Sequence, residues 1–256
     1  MPNEPQFSIV TCTWNSAATL PATLASLRSQ TCRDVEHIFV DGGSSDATLA
    51  LLAAFPGNKR ILHDVRGGIS HAMNRGIRVA RGAIVGHLHA DDYYAAPDVL
   101  ASVASAMAAS GRDWLVGEIV VLSPHGLLPA QPRRAYSYAA LAAGRAFIPH
   151  PATFIGRHLF AQFGYFDEQL RYAMDIDLWL RLAAHTPPVV LQRVLAVFRE
   201  HAGSVSSENK LLARQEEWRV RRRYAAVAPL AFAAYCLRYL KRTHHLRRQA
   251  GTRARF

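Results

Sequence analysis

The sequence predicts an α/β fold: a doubly wound, mostly parallel sheet followed by a basic helical tail. Three observations carry that expectation. Short apolar runs alternate with stretches of helical periodicity, the rhythm of repeated strand–loop–helix units. Each early run ends in a short polar loop, so the loops gather at the carboxyl ends of the strands, where such sheets bind ligands. Charge is segregated as well: the net charge is +11, and residues 210–256 hold thirteen Lys and Arg against two Glu. Residues 1–209 are balanced at seventeen basic and seventeen acidic side chains. A localised basic tail points to an anionic surface, whether membrane, nucleic acid or acidic partner.

The 256 residues, half of them hydrophobic, are enough for one large α/β domain or two small ones. Cys12, Cys32 and Cys236 are odd in number and irregularly spaced, which argues against a disulfide framework or a zinc site. The opening Met1-Pro2-Asn3-Glu4-Pro5 lacks a secretory pattern, and no uninterrupted apolar run reaches the roughly 18 residues of a membrane span. The expected location is the cytosol.

In chain order, residues 7–13 form a β-branched first strand. Trp14-Asn15-Ser16 breaks it, and Thr19 is placed to cap a helix with Pro21 in its first turn, carrying Leu20, Leu24 and Leu27 on one face. A second strand over 35–40 runs into Asp41-Gly42-Gly43-Ser44-Ser45-Asp46, a loop whose small residues let backbone approach a ligand, before a helix over 47–55. A third strand is expected over 60–63. Gly67-Gly68 then precedes a helix over 70–80, on which Arg75 and Arg78 are candidates either for phosphate contact or for solvated surface.

Residues 83–88 read as a strand buried on both faces that runs out into Asp91-Asp92. Adjacent carboxylates repel, so they suit a hard cation such as Mg²⁺ or Mn²⁺ whose shell substrate phosphates complete; alone, they fit a solvated turn equally well. A helix to Ser110, a strand over 114–122, a turn-rich segment over 123–149 expected to be a mobile loop, a short strand over 150–155 and a helix over 157–163 follow. A second acidic pair, Asp175 and Asp177, lies in a helical pattern. Two residues apart they are rotated by roughly 200°, so they cannot share a face. Asp177 and Arg181 stand at i,i+4 and predict an ion pair, whereas Asp175 is free to face a site or to cap the helix.

Taken together these segments resemble glycosyltransferase family 2, inverting enzymes of GT-A fold, and among them members of bacterial surface-polysaccharide assembly of the colanic acid and O-antigen type. The resemblance runs from about Phe7 to Ser206. It rests on Thr11-Cys12-Thr13-Trp14-Asn15, on Val40-Asp41-Gly42-Gly43-Ser44-Ser45-Asp46-Ala47-Thr48, and on Gly68-Ile69-Ser70-His71-Ala72-Met73-Asn74-Arg75-Gly76. Ala90-Asp91-Asp92, Met174-Asp175 with Leu178-Trp179-Leu180-Arg181, and Arg199-Glu200-His201 complete it. Each motif is weak alone; their order gives the resemblance its weight.

The resemblance implies a catalytic domain over 1–206 and a tail over 207–256. It implies nucleotide-sugar contacts from Thr11, Thr13, Asn15, Asp41, Gly42, Ser44, Asn74, Arg75, Asp91 and Arg181. It also implies Mg²⁺ or Mn²⁺ on Asp91 and Asp92, with His201 a further ligand or diphosphate contact, and Asp175 as the base that deprotonates an acceptor hydroxyl. The implied partners are a nucleotide-diphosphate sugar donor and a saccharide or lipid-linked saccharide acceptor. Three residues depart from the pattern: His89 stands where the family has the first metal-motif Asp, His71 replaces an Asp before Ala-Met-Asn, and Arg66 falls where an Asp precedes Gly.

Two other readings are open at this point. His87-Leu88-His89-Ala90-Asp91-Asp92 partly matches the histidine motif of zinc hydrolases, but leaves the Asp41 loop unexplained. Alternatively, the body is a degenerate transferase and the basic tail does the work. In that tail residues 225–237 are uncharged between Arg clusters, which suits a membrane interface better than nucleic acid, with Tyr235 and Tyr239 at headgroup depth. A helix packed on the body fits the same pattern.

Overall fold

The computed structural model describes residues 4–128, 136–200 and 210–253, with side chains as far as Thr243. The first half follows the anticipated rhythm: β1 (Phe7–Thr13), α1 (Leu20–Arg28), β2 (Val35–Asp41), α2 (Thr48–Ala54), β3 (Lys59–Leu62), α3 (Ile69–Val79) and β4 (Ile84–His87). Then come β5 (Tyr93–Tyr94), α4 (Val99–Ser110), β6 (Trp114–Ser123), β7 (Gly126–Leu128) and α5 (Tyr138–Ala142). A 3-10 turn at His150–Ala152 leads into β8 (Thr153–Gly156), α6 (Arg157–Phe163), α7 (Met174–Ala183) and β9 (Val189–Arg199). Two helices close the chain, α8 (Lys210–Arg223) and α9 (Pro229–Arg253).

The strands form one sheet in the order β3-β2-β1-β4-β8-β6-β9-β5, with β7 hairpinned onto β6. β3, β2, β1 and β4 are mutually parallel, and β6 pairs parallel with β9. β8 runs against both β4 and β6. β1 lies between β2 and β4, so the chain switches direction across the sheet there and leaves a crevice at its carboxyl edge.

Burial on both faces explains why β1 reads as a continuous apolar run. Val10 and Cys12 pack with Met73 and Ile77 of α3, whereas Phe7 and Ile9 pack on the opposite face with Leu20, Leu27 and Val103. Each such side chain contributes roughly 1.5–3 kcal/mol on burial. Gly76 lets α3 approach closely, because a Cβ there would clash with Val10 Cγ1.

Several expectations change. Thr19 occupies the cap position of α1 but makes no capping bond; its hydroxyl donates to the Ser16 carbonyl instead. Asp175 is not a cap either, since α7 begins at Met174 and Asp175 lies inside its first turn. The turn-rich stretch after β6 holds β7 and α5 in its described part; residues 129–135 lie outside the described residues. β9 was not anticipated: Arg193, which pairs with Asp98, interrupts its apolar pattern, and irregular register against β6 weakens the alternation.

The expected boundary at 206 falls outside the described residues, but α8 is not a detached tail. It packs on α7, and its Val220 and Arg221 are buried. Arg221 donates to the Leu141 and Ala142 carbonyls at the end of α5. Arg223 bonds Asp167 and Asp177, and the Tyr224 hydroxyl bonds Asp177. No described helix is long and apolar enough to cross a membrane.

Candidate active site

A cleft of about 880 Å³ opens at the carboxyl ends of β1, β2 and β4, and its walls include Thr13, Asn15, Gly42, Asp91, Asp92 and Asp175. Its first wall is the pair of loops after β1 and β2, which brace each other. The Asn15 amide N–H donates to Ser44 Oγ at 2.8 Å, and the Ser45 N–H returns to Asn15 Oδ1 at 2.9 Å. Asn15 adopts φ +47° to make both bonds. The Ser16 N–H reaches Thr48 Oγ1, and the Ala17 N–H reaches Asp46.

Asp41 organises this wall from beneath. It is fully buried, and its carboxylate accepts the hydroxyls of Thr13 and Ser44 and the amides of Gly43 and Ser44. Burial alone pushes its pKa up, but the Ser44, Thr13 and Gly43 bonds outweigh that and hold it below the usual carboxylate value. The carboxylate is therefore spent on the loop and does not open onto the cleft. Ser44 likewise serves Asp41 and Asn15.

The floor is the exit of β4. Asp91 lines the cleft half-buried, while Asp92 beside it is almost wholly buried. Asp92 Oδ1 accepts the Arg199 N–H at 3.0 Å, and its carbonyl accepts the Thr23 hydroxyl at 2.7 Å, so it ties β9 and α1 to this turn. Burial first, and the neighbouring Asp91 charge second, raise its pKa well above the ordinary carboxylate value. A cation at this turn relieves both effects, which is the sense in which these carboxylates fit Mg²⁺ or Mn²⁺. Among the described residues no group of three His, Cys, Asp or Glu is arranged to hold a metal by itself. His201 lies outside the described residues.

The far wall comes from α7 and α8. Asp175 faces the cleft with Tyr172 and Met174, and Ala213 of α8 joins them. Burial raises the Asp175 pKa to about 6; the Ile176 N–H opposes that, Glu217 adds to it and Arg221 opposes it. Glu216 holds the start of α7, its Oε1 accepting the Tyr172 N–H at 2.6 Å and the Ala173 N–H at 2.8 Å. A carboxyl poised near neutrality, opposite two carboxylates suited to a cation and phosphates, can take a proton from a hydroxyl bound between them.

Besides Asp41 and Ser44, four expected contacts are not brought to the cleft. Thr11 is fully buried in β1, one residue behind the lining. Asn74 is buried and clasps the turn before α7, donating to the Phe166 carbonyl and Glu168 and accepting the Phe166 N–H. Arg75 lies exposed on α3, away from the lining. Arg181 makes the anticipated pair with Asp177 at 2.7 Å and also caps the Phe163 and Tyr165 carbonyls, so its guanidinium is used up as a helix clamp. Of the departing residues, His71 bonds Glu168 at 2.8 Å and Arg66 bonds Asp64. Sequence reasoning passed over His150, which lines the cleft beside His89, and Glu216; His150 sits in an unremarkable Pro-His-Pro stretch and Glu216 in the tail.

The family model for glycosyl transferase family 2 matches residues 8–167, more than half the chain. The chain belongs to this family. The transferase is 34% identical over 209 residues to the uncharacterized glycosyltransferase Rv1514c of Mycobacterium tuberculosis, covering 77% of this chain and 76% of that one. It is 35% identical over 208 residues to the PGL/p-HBAD biosynthesis glycosyltransferase Rv2957 of the same species, covering 78% of each. Among solved structures it resembles Staphylococcus aureus TarS 1-349 in complex with UDP-GlcNAc, with a TM-score of 0.72 at 20% identity over 87% of this chain and 66% of that one. It also resembles the mannosyltransferase PcManGT of Pyrobaculum calidifontis in complex with GDP-Man and Mn²⁺, with a TM-score of 0.61 at 18% identity over all of this chain and 82% of that one. The fold is thus GT-A, and the enzyme is a glycosyltransferase. Family membership displaces the zinc-hydrolase reading.

Proposed function

We propose that this glycosyltransferase is an inverting, metal-dependent enzyme that moves a sugar from a nucleotide-diphosphate donor to an acceptor hydroxyl. The observation that carries the reading is Asp175, its pKa raised to about 6, facing the same cleft as Asp91. In one displacement Asp175 takes the hydroxyl proton as the acceptor oxygen bonds to the anomeric carbon. The bond from that carbon to the diphosphate breaks, and the nucleoside diphosphate leaves with the electron pair. Attack opposite the leaving group inverts the configuration. Thr13, Asn15 and Gly42, braced from below by Asp41, hold the nucleotide end. Asp91, with Asp92 behind it, would hold Mg²⁺ or Mn²⁺, which neutralises charge on the departing diphosphate.

The acceptor we propose is a lipid-linked saccharide in surface-polysaccharide assembly, reached at the cytoplasmic face of the inner membrane. Support comes from the tail: α9 exposes Leu230, Leu237 and Leu240 among basic side chains. The name of one relative also places that relative in PGL/p-HBAD biosynthesis. Nucleic acid is not a proposed partner.

Calorimetric titration with UDP, GDP and dTDP, with and without Mn²⁺, tests the reading on wild type and Asp91→Ala. One nucleotide is expected to bind in a Mn²⁺-dependent way and to lose at least about tenfold in affinity in the variant. A folded wild-type protein that binds none of them overturns the proposal.

A further inference from the structure

A second cavity, of about 510 Å³, lies on α8 and is walled by Trp218, Arg219, Arg222 and Arg223. The transfer chemistry above gives it no part. Ala213 is the residue through which α8 lines the cleft. Trp218 and Arg222 lie roughly 140° and 180° round the helix from it, so this cavity opens on the other side of α8.

Its charge is uncompensated. Arg219 and Arg222 are both exposed and stand at i,i+3, where like charges repel. The ion pairs described for α8 join Arg214 and Arg221 to Glu217, and Arg223 to Asp167 and Asp177. None of them reaches Arg219 or Arg222. Glu216, one turn before Arg219, is already spent on the Tyr172 and Ala173 amides. Arg222 instead lays its guanidinium over the Trp218 ring, 5.4 Å from the centroid. Two open guanidinium forks beside an aromatic wall suit the paired oxygens of a phosphate.

The surroundings decide which phosphate. Trp218 packs on Phe232 and Tyr239 of α9, with centroids 6.5 and 6.1 Å away. Leu240 follows Tyr239, about 100° further round α9, and joins the exposed leucine face that Leu230 and Leu237 continue. A phosphate in the cavity is therefore flanked by apolar surface. Nucleic acid or a free phosphorylated metabolite would leave those leucines in water, whereas a phospholipid meets both features. Trp and Tyr rings settle at headgroup depth, and a helix that does not span the bilayer lies at that level.

We propose that Trp218, Arg219 and Arg222 form a site for the phosphate of an anionic phospholipid headgroup, so that the tail reads phosphate geometry and not negative charge alone. The inference rests on the membrane reading of the tail under Proposed function.

The test is co-sedimentation of the full chain with phosphatidylcholine vesicles containing phosphatidylglycerol, read as a partition coefficient. Arg219→Lys with Arg222→Lys keeps the charge and removes both forks. This pair is expected to lower the coefficient about tenfold while the calorimetric nucleotide Kd stays unchanged. Arg242→Lys, the same change outside the cavity, is expected to leave the coefficient at the wild-type value. If the double variant does not fold, Arg222→Lys alone is expected to lose about threefold. Equal partition of the double variant and wild type overturns the site and leaves the membrane reading standing, as does an equal loss in Arg242→Lys. Inorganic phosphate that releases the wild type, where chloride of the same ionic strength does not, overturns the lipid in favour of a free phosphate. A DNA duplex whose binding weakens in the double variant while vesicle binding holds overturns it in favour of nucleic acid. A wild type that stays in the supernatant removes the membrane reading and the site together.

Discussion

Asn74 separates what a motif suggests from what a side chain does. Its place in Ala-Met-Asn made it a nucleotide contact by resemblance, yet its amide bonds both the carbonyl and the N–H of Phe166. Asn74→Ala removes bonds from a buried clasp and leaves the Phe166 backbone unpaired. The expected cost is about 1–3 kcal/mol of stability with the nucleotide Kd unchanged, read by denaturant unfolding and calorimetry. Asp41 teaches a related lesson. Its loop was legible from the run of small residues after β2, but that its carboxylate turns inward was not. Direction depends on Thr13, 28 residues away, and a motif carries no such information. That Asp175 and Asp177 diverge was legible for a physical reason: helical rotation separates them, and i,i+4 spacing gives Asp177 to Arg181.

At the scale of elements, the strand–helix rhythm was legible because β1, β2 and β4 are buried on both faces and each helix presents one apolar stripe. β9 was not legible, since a strand with irregular register and an arginine in its middle has no clean period. Nor was the relation of α8 to α7, which is made by side chains more than 40 residues apart. That relation carries a prediction. Glu216 accepts the two amides that open α7, so Glu216→Ala loosens the turn ahead of Asp175. Turnover is expected to fall about tenfold with the donor KM unchanged, and Glu216→Gln, which keeps an acceptor oxygen, to recover most of it. Equal turnover in Glu216→Ala and wild type contradicts the role.

On the scale of the whole molecule, the positive charge lies in α8 and α9 while the cleft lies in the balanced body. Both readings of the tail left open by the sequence have a structural counterpart. One face of α9 is packed, with Tyr235 buried beside Arg221. Leu230, Leu237 and Leu240, on the other side, are 86%, 66% and 62% exposed. Changing these three to Ser is expected to abolish retention on anionic liposomes without altering nucleotide binding. Undiminished retention in a co-sedimentation assay contradicts the membrane role.

The central claim is that Asp175 acts as the base. The pH dependence of nucleoside diphosphate release tests it most directly, with the donor that calorimetry identifies and a membrane extract as acceptor, in wild type and Asp175→Asn. The carboxyl pKa is raised, so the working ionised form is lost as pH falls through about 6. The same shift means that stability is lost as pH rises from the unfolded carboxyl's 3.8 to about 6 and stays lost above it, so Asn at neutral pH is expected to fold at least as well. The account predicts turnover that rises to a plateau above pH 6 in wild type. In Asp175→Asn it predicts a loss of about 10²–10⁴-fold with nucleotide affinity intact. Turnover in Asp175→Asn within a few-fold of wild type, with the same acid limb, would contradict it.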